Sequence, residues 1–299
     1  MNPVSRRHFL KHATSSAMIA SLSNRFSSCT AGTVQPNTHG RIRKAVKYHM
    51  IKEDLSVLGK FQLLADLGFE GTEIHVTTKI DRNEVRKAID ATGVVVHGFL
   101  NSTNPDLKSA IDNAKFYGAT SVLVVAGKVD GDHPYDTVYH EQQQRIQAAA
   151  PYAEQHDIKL LVENVWNNFL LSPLEMARFV DAIQSPAVGV YFDVGNVVRY
   201  GWPEQWIRIL GPRIVKLDIK EYSRQKQKDE GLWKGFEVKI GDGDCDWPAV
   251  RSALADIGYT SGWATAEVPG GDRQRLADIS QRMDQVLMTT RPPTIGLGK

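Results

Sequence analysis

The chain has 299 residues, 42% of them hydrophobic and 23% charged, which is enough apolar mass to bury a full core and excludes a globally disordered protein. Its formal charge is only +2, and no basic block or basic-aromatic interleaving runs through it, so nucleic acid is not an expected partner. Beyond the N-terminal region no stretch approaches the roughly 18 continuous apolar residues of a membrane span.

Residues 1–32 differ from all that follows, holding Arg6, Arg7, Lys11 and Arg25 without a single acid around the apolar stretch AMIASL. SRRHFLK resembles a twin-arginine export signal, which predicts a periplasmic protein, with a cytoplasmic one as the alternative if the leader is not read. Without those four charges the formal net falls from +2 to −2. Cys29 and Cys245 are the two cysteines, so the chain past the leader has no intrachain pair to oxidise.

From Lys44 onward short β-branched runs alternate with amphipathic helical patterns, as in a parallel sheet with helical crossovers. KAVKYHMI precedes a helix over 55–67, FEGTEIHV one over 82–91, GVVVHGFL one over 106–117, and TSVLVVAG one over 139–155. IKLLVENV is followed by a helix over 173–183, AVGVYFDV by one near 204–210, RIVKLDIK by one after Trp247, and WATAEV by one over 273–288. Eight units in this length predict a single-domain α/β fold, a closed (β/α)8 TIM barrel over 41–290, with a tail at 291–299. No glycine-rich phosphate fingerprint follows the first strand, which argues against dinucleotide binding. Ser172 and Asp246 are placed as helix N-caps, and Gly68, Gly118 and Gly258 as left-handed helix ends. Residues 221–243, rich in Lys, Gln, Asp and Gly, form the longest stretch outside the repeat, either a lid or a solvated excursion.

Four late strands end in acids: Glu163, Asp193, Asp218 and Glu267. In a closed barrel those ends share one rim, where like charges repel and raise one another's pKa unless a cation sits among them. A divalent metal is therefore expected, and oxygen-only ligation favours Mn²⁺ or Mg²⁺ over zinc. Taken one at a time, each acid reads equally as a helix cap or as a partner for Lys216 or Lys220. His49, His75 and His97 occupy strand positions, each either a satisfied buried imidazole or a substrate contact, and Glu73 either joins the pocket or caps its strand.

VENVWNNFLLSPLEMARFVDAI, VGVYFDVGNVVRYGWPEQWIRILGPRI and GDGDCDWPAVRSALADIGYTSGWATAEVPGGD resemble the xylose isomerase-like TIM-barrel superfamily, in its sugar (phosphate) isomerase/epimerase branch of ketose 3-epimerases, pentulose-phosphate 3-epimerases and hydroxypyruvate isomerases. The resemblance implies metal ligands at Glu163, Asp193, position 218 and Glu267, where the family pattern is Glu, Asp, His, Glu; here the third is Asp218. It further implies an enediolate mechanism in which Glu163 takes the proton and Glu267 returns it, and a substrate contact at Asn196; Arg224 beyond the seventh strand is placed to grip an oxygen or phosphate, and Trp166 suits a sugar-facing wall or an apolar plug at the rim.

The expected activity is a metal-dependent isomerase or epimerase acting on a ketose or related α-hydroxy carbonyl compound. The alternatives are a 3-keto-glycoside lyase on the same site and a non-catalytic sugar-binding barrel. The expected partner is a small-molecule sugar, unphosphorylated if the protein is exported; homo-oligomerisation is left open.

Overall fold

A computed structural model describes residues 40–288. The leader expected at 1–32 and the tail expected at 291–299 lie outside the described residues.

Eight strands run in chain order: β1 Ile42–Lys47, β2 Gly71–His75, β3 Val95–Ser102, β4 Ser121–Val124, β5 Lys159–Glu163, β6 Val188–Asp193, β7 Ile214–Ile219 and β8 Gly262–Ala266. All neighbours are parallel, and β8 pairs back onto β1, closing a (β/α)8 barrel. Side chains alternate between the two faces of each strand, so Leu160 and Val162 of β5 look out towards the helices while Leu161 and Glu163 look into the barrel. Packing records the split: Leu160, Val162, Val190 and Phe192 belong to the large cluster between sheet and helices, and Leu161 and Tyr191 to a separate small one with Leu100 and Leu123.

Local sequence accounts for the boundaries. Ser172 Oγ accepts from Glu175 N at the start of the helix Pro173–Ile183, and Asp246 Oδ1 accepts from Ala249 N at the start of Trp247–Asp256. Gly118 closes the helix Leu107–Tyr117 at φ 73°, a left-handed conformation that a side chain would strain. Three expectations need correction. The first strand stops at Lys47, because Tyr48–Met50 coil into a 3-10 turn that takes His49 out of the sheet. The fourth helix begins at Tyr135, directly after Pro134, since proline fixes a φ suited to a helix start. Residues 221–243, expected to be a lid or a solvated excursion without regular structure, hold a helix, Arg224–Glu230, and a 3-10 turn, Leu232–Phe236.

Candidate active site

Glu163 and Asp193 are the last residues of β5 and β6, Asp218 stands opposite Asp193 in the ladder, and Glu267 follows β8 with its N–H still donating to Ile219 O at 3.1 Å. Each of the four offers one carboxylate oxygen, and these oxygens all lie within 4.8 Å of one another. The strand-end acids thus meet in one place.

Two lysines are there with them. Lys47, the last residue of β1, puts its Nζ 2.9 Å from Asp218 Oδ2 and 3.0 Å from Glu267 Oε1. Lys220 puts its Nζ 3.0 Å from both Asp193 Oδ2 and Glu267 Oε2. Lys47 and Asp218 are essentially sealed from solvent, at 2% and 0% exposure. Their pair explains how an acid is tolerated at the position where the family pattern has histidine: a buried carboxylate needs a counter-charge, and β1 supplies it.

The electrostatics divide the acids. Burial, then the nearby Glu267 charge, pushes the Glu163 pKa up to about 8. Burial acts on Glu267 in the same direction, but the Lys47 and Lys220 ammoniums overcome it and hold this carboxyl well below the usual range. Burial also works against the charge on Lys47, yet Asp218, Glu267, Glu163 and Glu73 together hold its pKa well above normal. It remains a cation.

The lysines do not saturate the cluster. Asp218 Oδ1 accepts no hydrogen bond, and Asp193 Oδ2 and Glu267 Oε2 have only the Lys220 ammonium, outside hydrogen-bonding geometry. Burial still pushes the carboxyls of Asp193 and Asp218 up, the direction that a further cation would reverse. With all four carboxylates ionised, the state a bound cation favours, the two ammoniums leave two negative charges, the deficit that one divalent ion fills. The residues therefore fit a hard, oxygen-ligated ion.

The loop after β5 is laced to β6. Asn164 exchanges two hydrogen bonds of 2.8 Å with the Asp193 main chain, Asp193 Oδ1 accepts from Asn196 N at 2.8 Å, and Asn196 Nδ2 donates to Asn164 O at 2.9 Å. Trp166 Nε1 donates to Asn196 O at 2.8 Å. These bonds fix the direction of Asp193 and place Trp166 and Asn196 on the wall of a cavity of about 510 Å³, floored by Glu163, Lys220 and Glu267.

The other expected substrate contacts stand elsewhere. Arg224 turns away, donating through Nε to Val198 O and through Nη2 to Gly201 O, both at 2.8 Å, because the end of the short helix Val194–Val198 and the turn after it present unsatisfied carbonyls. His97 and Glu73 lie fully buried inside the barrel. His97 Nε2 meets Thr265 Oγ1 at 3.1 Å, its Nδ1 meets Lys216 Nζ at 3.0 Å, and its ring stacks on Trp263 at 4.2 Å. Glu73 Oε1 accepts from Tyr191 OH at 3.0 Å. Of the two lysines named from sequence as partners for the acids, Lys220 takes that role, while Lys216 serves this inner network, where burial lowers its pKa to about 7. Lys47, Asn164, Trp233 and Phe236 went unnoticed in the sequence. For Lys47 a signal existed: it is a charge at the end of an apolar strand, the pattern that exposed the acids.

A family model, the xylose isomerase-like TIM barrel, matches residues 61–287. The chain belongs to this family. Within it, 113 residues are 31% identical to 3-oxo-isoapionate decarboxylase of Pectobacterium atrosepticum, an alignment spanning 36% of this chain and 39% of that relative's length. Among solved structures, D-allulose 3-epimerase from Methylomonas sp. superposes with TM-score 0.66 at 17% identity, covering 83% of this chain and 99% of the other. An L-ribulose 3-epimerase superposes with TM-score 0.67 at 14% identity, covering 83% and 95%. Both superpositions establish the shared barrel fold.

Proposed function

We propose that this xylose isomerase-like barrel is a divalent-metal-dependent sugar isomerase or epimerase, acting on a ketose or related α-hydroxy carbonyl compound by glutamate-mediated proton transfer. The observation that carries this reading is the convergence of four strand-end carboxylate oxygens within 4.8 Å, two of the residues, Glu163 and Glu267, lining a cavity and the other two buried beside them. Glu163, Asp193 and Glu267 would hold the ion, with Asp218 shared between it and Lys47. Mn²⁺ or Mg²⁺ suits the oxygen-only donors, and when bound such an ion supplies a Lewis acid that polarises the substrate carbonyl.

The protein's own side chains supply the proton chemistry. Inverting a carbon next to a carbonyl takes a base on one face and an acid on the other. Glu163 on β5 and Glu267 beyond β8 stand three strands apart in the ring, and both line the cavity. Glu163 takes the proton, Glu267 returns one, and the Lys47 and Lys220 ammoniums offset the negative charge that grows on the substrate oxygens in between. The leader supports export, which favours an unphosphorylated sugar.

The test is incubation of the protein with a panel of ketoses and Mn²⁺ in D₂O, reading recovered sugar by mass spectrometry. One deuterium per turnover is expected, lost in Glu163→Gln; no incorporation from any ketose would overturn the reading. The decarboxylase match favours a second reaction through the same developing charge, loss of CO₂ from a 3-oxo sugar acid. CO₂ release from such an acid, with no exchange into ketoses, would select it.

A further inference from the structure

The excursion between β7 and the helix Trp247–Asp256 is pinned at its base by Glu221, which is 1% exposed and accepts from Gly241 N at 2.8 Å, Cys245 N at 3.1 Å and Trp247 Nε1 at 2.8 Å. Tyr222 OH donates to Leu232 O at 2.8 Å, and Ser223 N donates to Gly235 O at 2.8 Å. The main chain at Gly235 lies flat against the Tyr222 ring, where a Cβ would come within 2.4 Å. The segment is a fixed frame, and what it displays is aromatic.

Phe236 and Trp233 stand on this frame and meet Trp166 from the loop after β5, with ring centroids 4.7 Å apart for Trp166 and Phe236 and 5.2 Å for Trp166 and Trp233. Trp233 and Phe236 are stacked within 30° of parallel. All three rings line the cavity that Glu163, Lys220 and Glu267 floor, and the Lys220 ammonium sits 5.5 Å from the Phe236 centroid. The aromatic surface therefore begins where the charged floor ends.

Trp233 is nonetheless 66% exposed. Leaving an indole in water forgoes the stabilisation its burial would give, so packing does not explain its place on a rigid frame beside the site. A ligand does. Rigid aromatic rings supply contact area at little entropic cost, and a pyranose offers them a C–H face while its hydroxyl rim stays hydrated. The cavity, at about 510 Å³, falls within the roughly 300–1,000 Å³ of sites that bury drug-sized small molecules. Resting on the ketose chemistry proposed above, we infer that Trp233, Phe236 and Trp166 form a subsite for a second sugar ring, and that the preferred substrate is a glycosylated keto sugar, its carbonyl end over the carboxylates and its second pyranose on the aromatic surface.

Calorimetric titration with isomaltulose and lactulose, set against fructose and tagatose, on the Mn²⁺-loaded parent and on Trp233→Ala tests this, with deuterium exchange run on the same sugars. The parent is expected to bind the disaccharides at least tenfold more tightly than the monosaccharides. The ratio of the two affinities should fall about three- to tenfold in Trp233→Ala, the size of one aromatic contact, and recover partly in Trp233→Phe. A parent without disaccharide preference, or a ratio that Trp233→Ala does not move, overturns the subsite even where exchange on monosaccharides proceeds. Absence of exchange on every ketose, with a ratio that still falls in the variant, overturns the proposed reaction and upholds the subsite. A change of oligomeric state in Trp233→Ala with sugar binding unmoved would mark the surface as a contact between copies and overturn the inference.

Discussion

Replacing Lys47 with methionine keeps much of the side chain's shape and deletes its charge. In the parent, Lys47 Nζ lies 2.9 Å from Asp218 Oδ2 and 3.0 Å from Glu267 Oε1, with Lys47 2% and Asp218 0% exposed. Removing one member of a buried pair strands the other, a loss of about 3–5 kcal/mol. That is a large share of the ~5–15 kcal/mol that holds a domain folded. With a urea slope of about 3 kcal/mol per molar, the midpoint should fall by about 1–1.7 M in EDTA. Saturating Mn²⁺ should then stabilise Lys47→Met by more than it stabilises the parent, because the variant's carboxylates carry one more uncompensated negative charge; occupancy at a hundred times Kd is worth about 2.7 kcal/mol. A variant that unfolds at the parent's midpoint in EDTA, or that gains less from Mn²⁺, would refute the role given to this lysine.

His97 is held neutral well below the ordinary histidine pKa of 6.5 by burial and by Lys216, Arg43 and Lys47, with the Glu73 carboxylate at 3.8 Å on the opposing side. Its contribution to stability is present above that ordinary pKa and lost as pH falls below it, since the unfolded chain takes up a proton that the folded one refuses. His97→Asn should therefore lose less stability than the parent between pH 7.5 and 5.5 in urea titrations; equal losses would contradict this. Gly235→Ala must displace the Tyr222 ring, whose atoms lie 2.4 Å from the added Cβ, at a cost of about 1–3 kcal/mol and with a changed fluorescence from Trp233. A variant matching the parent in both would show that the frame yields freely.

How much of this could be read from the chain depends on the range of the interactions. The barrel is legible because each strand carries its own alternation and each helix its own cap, as at Ser172 and Asp246. The rim acids are legible for the same reason, a charge ending an apolar run. Lys47 escaped notice because its partner is 171 residues away and its strand already contains Lys44, which turns to the other face and meets Ser280 Oγ at 2.9 Å. Arg224 is legible as a charge beyond β7 but not in its direction, because the carbonyls that hold it, Val198 and Gly201, are 26 and 23 residues away and come to it only in the fold. In the excursion, a composition of Lys, Gln and Asp concealed a frame fixed by one buried carboxylate, Glu221.

One shared ion underlies the proposed chemistry, and calorimetric titration of Mn²⁺ into protein stripped with EDTA measures it directly. One equivalent per chain should bind to the parent, with affinity falling at least tenfold in Asp193→Asn and in Glu267→Gln. Binding absent up to millimolar Mn²⁺ and Mg²⁺, or undiminished in both variants, would contradict the site.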